Sequence, residues 1–159
     1  MKTIQINTYQ FNELIETAKQ NAINEYQDIN VRYEWWDSVY MDAENVGLKI
    51  TSFDLDRNRH AEGEFIQDAD FCAYKILSEH GKDCETYRTA ARYIENRDKL
   101  DIDNQNKELE ELDSQFLHDI LGDYSMQLQK ESEYLQSDEA IIEAIQANEY
   151  EFLESGKKY

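Results

Sequence analysis

The chain has 159 residues, 35 of them acidic and 16 basic, for a net charge of −19 at neutral pH. That balance repels nucleic-acid phosphates and anionic membranes, so it disfavours direct DNA, RNA or lipid binding and favours a basic protein surface as partner. The 11 tyrosines, 6 phenylalanines and 2 tryptophans argue against a disordered chain, and the lack of proline leaves long helices without their commonest breaker.

In chain order, Thr3 to Tyr9 alternates, with Ile4 and Ile6 against Thr3 and Gln5, and predicts a first strand. Phe11, Leu14, Ile15, Ala18, Ala22 and Tyr26 recur at helical spacing and predict an amphipathic helix to about Tyr26. A second helix carries Trp36, Val39, Tyr40, Ala43 and Val46 on one arc, with Glu34, Asp37, Asp42 and Glu44 opposite. Gly47 is placed to end it in the left-handed conformation that glycine takes without penalty. A strand follows, with Leu48 and Ile50 on one face, and Ala61–Gln67 is read as its hairpin partner. Gly63 there predicts a bulge or a close backbone approach.

Ala69, Cys72, Ala73, Ile76 and Leu77 form the apolar side of the next helix, stopped by Gly81, and Cys84–Arg97 reads as another. The polar run Asp98–Asn106 is the expected linker. Leu109, Leu112, Phe116, Ile120 and Tyr124 begin a long helix to about Leu135. Ser137 is positioned to cap a last helix bearing Ile141, Ile142 and Ile145, Asn148 to end it in a left-handed turn, and Tyr150–Leu153 to return as a strand. The fold class is therefore α+β: one antiparallel sheet of about 3–4 strands packed with several helices, including a long acidic helix in the last third. The reading is a single domain over 1–159, with an α+β core at 1–97 and a helical extension at 107–159 that ends in a strand. The opening MKTIQINTYQ has no long apolar run, so no signal peptide or membrane span is expected. Cys72 and Cys84 make no disulfide framework, and the expected location is the cytoplasm with both thiols reduced.

The runs EWWDSVYMDAENVGLKITSFDLDR and SDEAIIEAIQANEYEF resemble a family of small acidic proteins of phages and mobile elements. The family has no assigned activity, so the resemblance transfers no catalytic residues. It implies a phage or prophage product acting inside a host bacterial cell.

Constellations of chemically capable residues fall short one by one. Asp54, Asp56 and Asn58 start like a calcium loop, but Arg59 and Phe65 stand where glycine and a bidentate glutamate are needed. A strand running into Asp54-x-Asp56 also resembles haloacid dehalogenase-type phosphatases, but Arg57 and Asn58 do not continue that motif. Cys72, His80 and Cys84 match no zinc spacing, and Cys72 reads as a small hydrophobe on an apolar helix face. No catalytic residue, metal or cofactor is assigned.

What remains is charge. Residues 101–159 hold 16 acidic and 4 basic side chains, and so −12 of the −19. On the long helix Glu108, Glu111, Asp119, Asp123 and Glu133 share one face and span roughly 37 Å. These five are the candidate partner-binding residues, together with Trp35, whose residue type is enriched at binding hot spots. Asp113 and Glu131 fall inside the apolar arc, so either the helix breaks at Gly122 or they meet basic groups such as Arg88 or Arg92. The functional expectation is an inhibitor of a host nucleic-acid-binding defence protein, of the anti-CRISPR or anti-restriction kind, that covers its basic surface. The alternatives are a non-catalytic phage interaction or antitoxin-like protein, and a small hydrolase centred on Asp54 and Asp56.

Overall fold

Phe11, Leu14, Ala18 and Ala22 do share one buried side, but the chain reaches it in two steps. In the structure, a computed structural model that describes residues 1–100 and 105–159, Phe11–Glu13 is a 3-10 turn and the helix α1 is Glu16–Glu25. Leu14 and Ile15 between them are extended. The elements that follow are α2 (Asp37–Asn45), the hairpin β2 (Leu48–Asp54) and β3 (His60–Phe65), α3 (Ala69–Glu79), α4 (Glu85–Asp98), α5 (Gln105–Leu135) and α6 (Asp138–Ala147). A two-residue strand stands near each end, β1 at Tyr9–Gln10 and β4 at Glu151–Phe152. The fold is α+β. Its strands form two antiparallel pairs, β1–β4 and β2–β3, in place of the single sheet expected. Of the linker expected at Asp98–Asn106, residues 101–104 lie outside the described residues, while Asp98 ends α4 and α5 begins at Gln105.

The chain forms two compact units, Met1–Trp35 with Glu131–Tyr159, and Trp36–Lys130. The sequence reading divides it elsewhere, between 97 and 107. The first unit closes on Tyr9↔Phe152 and Gln10↔Glu151. Thr3–Asn7, expected as strand, is exposed and unpaired in any sheet. The core below is aromatic: Tyr26 stacks on Tyr150 at 4.9 Å and meets Phe152 edge-on at 5.9 Å. Ser137 caps α6 as expected, accepting from the Ala140 amide at 3.3 Å. Asn148 is right-handed, and the left-handed residue is Glu149, at φ 53°.

In the second unit Gly47, at φ 87°, turns the chain from α2 into β2. The hairpin register slips between Ile50 and Ser52, and Gly63 lies opposite Ile50. A Cβ at Gly63 would stand 2.4 Å from the Lys49 carbonyl oxygen, so the close approach read from the sequence is what the hairpin requires. Helix α5 packs on this hairpin through Phe116, whose ring stacks on Phe65 at 5.5 Å and on Tyr93 of α4 at 4.4 Å. Trp36, expected in the core, is half-buried at the start of α2 and meets Phe53 edge-on at 5.7 Å. Cys72 is fully buried, and burial pushes its thiol up to about 12. That is the small-hydrophobe role expected of it.

Candidate partner-binding surface

Helix α5 contains no proline and is rich in Leu, Glu and Gln, which lose little side-chain freedom in a helix. It runs without a break through Gly122. Phe116, Ile120, Tyr124 and Leu128, four residues apart, form its buried stripe. The acidic side chains are distributed around that stripe, not all opposite it.

Glu108, Glu110 and Glu111 are exposed near the start of the helix. Asp119 and Asp123 are half-buried. Asp119 accepts from Gln115 Nε2 at 2.9 Å, and Asp123 accepts from the Thr89 hydroxyl of α4 at 2.5 Å. Burial raises Asp123 above the ordinary aspartate value, an effect the Thr89 bond opposes. Glu133 is exposed but belongs to the first unit, whereas the other four belong to the second. The exposed acidic surface of α5 in the second unit is therefore concentrated in its first turns.

Asp113, the misfit in the apolar arc, accepts a short hydrogen bond from the Tyr93 hydroxyl. Its partner is thus a phenol, where the sequence offered a helix break or Arg88 and Arg92. Arg88 instead pairs with Glu85 at 2.7 Å. Burial, with the bond to Asp113, raises the Tyr93 phenol well above the usual tyrosine range. Trp35 is half-buried. Asp54 and Asp56 build the hairpin turn, where the Asp56 amide donates to Asp54 Oδ1 at 2.9 Å.

The second unit also holds a cleft of about 620 Å³ beside His80. Asp42, Glu79, Asp83, Glu85, Asp123 and Lys130 line it, and Glu79 and Glu85 pair with Lys75 at 3.4 Å and Arg88 at 2.7 Å. His80 follows α3, and its side chain is only 9% exposed. Its Nδ1 shares a 2.6 Å hydrogen bond with Thr86 Oγ1. Its Nε2 lies 3.2 Å from Asp42 Oδ2, close enough for an ion pair, yet off the line that a hydrogen bond needs. Asp42 in turn accepts from the Tyr124 hydroxyl at 2.8 Å. Burial and this bond raise the Tyr124 phenol far above its usual range. Asp42, His80, Thr86 and Tyr124 come from four separate stretches, so no local spacing announces the cluster.

Among the described residues no group of three His, Cys, Asp or Glu side chains is arranged to hold a metal ion. No described helix is long and apolar enough to cross a membrane. No protein-family model, curated protein or solved structure matches this chain.

Proposed function

We propose that the protein acts by binding, as an inhibitor that covers the basic nucleic-acid-binding surface of another protein. In the phage setting that the sequence resemblance implies, the target is a host defence protein such as a CRISPR effector or a restriction enzyme. The observation that carries this reading is the exposed cluster Glu108, Glu110 and Glu111 at the start of α5, on a chain of net charge −19. Negative charge that faces solvent attracts a basic partner over a Debye length of about 10 Å at moderate salt, which accelerates encounter. Carboxylates engaged inside the fold, such as Asp113 and Asp123, add to the net field but not to the contact.

The test is capture from bacterial lysate at about 0.05 M salt, with elution at about 0.5 M. The expected result is a nucleic-acid-binding protein that elutes with salt and is also displaced by competing duplex DNA or RNA. Replacing Glu108, Glu110 and Glu111 together by Gln is expected to weaken capture while leaving the thermal melt unchanged. Capture that survives both high salt and that triple substitution would refute the reading and favour apolar docking.

A further inference from the structure

We propose that residues 2–8 form an antiparallel β-ribbon with the same residues of a second copy of this chain. The proposal is independent of the inhibitor reading. Lys2, Ile4, Ile6 and Thr8 alternate with Thr3, Gln5 and Asn7; four of the seven are β-branched, and neither glycine nor proline interrupts them. The run leads straight into β1, yet among the described residues no strand lies beside it. The strand that pairs with β1 turns away instead. Beyond Phe152 the Leu153 amide donates to the Lys157 carbonyl at 2.8 Å, and Gly156, at φ 85°, returns the chain so that Lys158 bridges to Phe152. Residues 2–8 therefore overhang β4 by about 24 Å of extended chain. On that overhang Ile4 is 79% exposed and Ile6 57% exposed.

Charge and self-complementarity both choose a second copy as the occupant. Residues 1–12 are the longest run in the chain without Asp or Glu, and Lys2 is their only charged side chain. Two chains of net charge −19 repel each other, and this run lets them meet without opposing carboxylates. In the two-fold register that sets Gln5 opposite Gln5, Ile4 faces Ile6 of the second copy, Thr3 faces its Asn7 and Lys2 its Thr8. Directly opposed residues share a face, so four isoleucines pack side by side. A one-residue shift sets every isoleucine against a polar residue, and a two-residue shift sets Ile4 against Thr8 or Ile6 against Lys2. Gln10 and the exposed Glu151, paired across β1 and β4, lie on the face of Thr8. Lys2 of one copy is thereby brought towards Glu151 of the other. Two strands alone are marginal in water, so the dimer is weak, with a dissociation constant on the order of 10–100 μM.

The full chain is followed by sedimentation equilibrium from about 1 μM to about 1 mM, in about 0.5 M salt to screen self-repulsion. The expected result is a reversible monomer–dimer equilibrium. Gln5→Pro removes an amide at the centre of the ribbon without changing charge, and Ile4→Asp combined with Ile6→Asp brings carboxylates to it. Each is expected to weaken the dimer at least about tenfold. Both leave the thermal melt of dilute protein unchanged, because residues 2–7 are exposed. Register is read by mild oxidation in a Cys84→Ser background, since Cys84 is itself exposed. Gln5→Cys stands about 5 Å from its counterpart, within disulfide reach, whereas Asn7→Cys stands about 14 Å from its own. Rapid cross-linking of the first and not of the second is expected. A monomer at every concentration overturns the proposal, even if the segment binds some other protein. A dimer that withstands both sets of substitutions, or equal cross-linking at the two positions, overturns it as well.

Discussion

Tyr93 and Asp113 show how one hydroxyl can justify a carboxylate on an otherwise apolar helix face. The Tyr93 ring stacks on Phe116 at 4.4 Å while its O–H satisfies Asp113. Tyr93→Phe keeps the stack and removes only the donor, leaving a half-buried carboxylate short of a partner. The expected loss of unfolding free energy is about 1–3 kcal/mol, read from urea denaturation. Asp123 offers a different test. Burial raises it above the ordinary value of 3.8, so the folded chain holds this proton more tightly than the unfolded chain. The stability contributed by this group therefore falls as pH rises from the unfolded value through the folded one. Asp123→Asn keeps an acceptor for Thr89 and removes the titration. The variant's advantage over the parent is expected to grow as pH rises above about 4, measured by denaturation midpoints.

Two glycines separate what an element tolerates from what it demands. Gly122 lies within α5 with nothing inside 4 Å of an added Cβ, so nothing in the packing requires glycine there. Gly122→Ala is expected to stabilise by about 0.5–1 kcal/mol through helix propensity. At Gly63 the added Cβ would meet the Lys49 carbonyl oxygen at 2.4 Å, a backbone atom that cannot step aside alone. Gly63→Ala is expected to destabilise by about 1–3 kcal/mol. Thermal melts of the two variants should shift in opposite directions. Sequence reading offers a close approach at Gly63 and, as one of two alternatives, a break at Gly122; the hairpin has the first and α5 runs through the second. A glycine in a strand of a hairpin is interpretable locally, because the partner backbone is always about 5 Å away. A glycine in a long helix has no such fixed neighbour, and here the intact stripe of Phe116, Ile120, Tyr124 and Leu128 carries the helix through it.

For the molecule as a whole the dominant quantity is the charge of −19. Self-repulsion opposes compaction, and salt screens it. Raising salt from about 0.05 M to about 0.5 M is expected to raise the melting temperature of the free protein. The same change is expected to weaken its capture of a basic partner. Opposite responses of folding and binding to one variable distinguish a recognition surface from charge that serves solubility alone.

The amino-acid order by itself determined features whose physics is local. Gly47 ends a helix, Ser137 caps one, Gly63 admits a close backbone, and Cys72 sits on an apolar face, because each depends on neighbours within a few residues or across a tight hairpin. The α+β class followed from the same short-range periodicities. Tertiary structure alone decided the rest. The strands form two separate pairs because β1 finds its partner β4 across most of the chain, within the unit formed by both termini. The acidic row of α5 is divided between exposed and half-buried positions because α4 supplies Thr89 to Asp123. His80 faces Asp42 and Thr86 because separate helices converge there. Spacing along a chain describes one helix at a time, whereas burial and hydrogen-bond partners are set by which helices pack together.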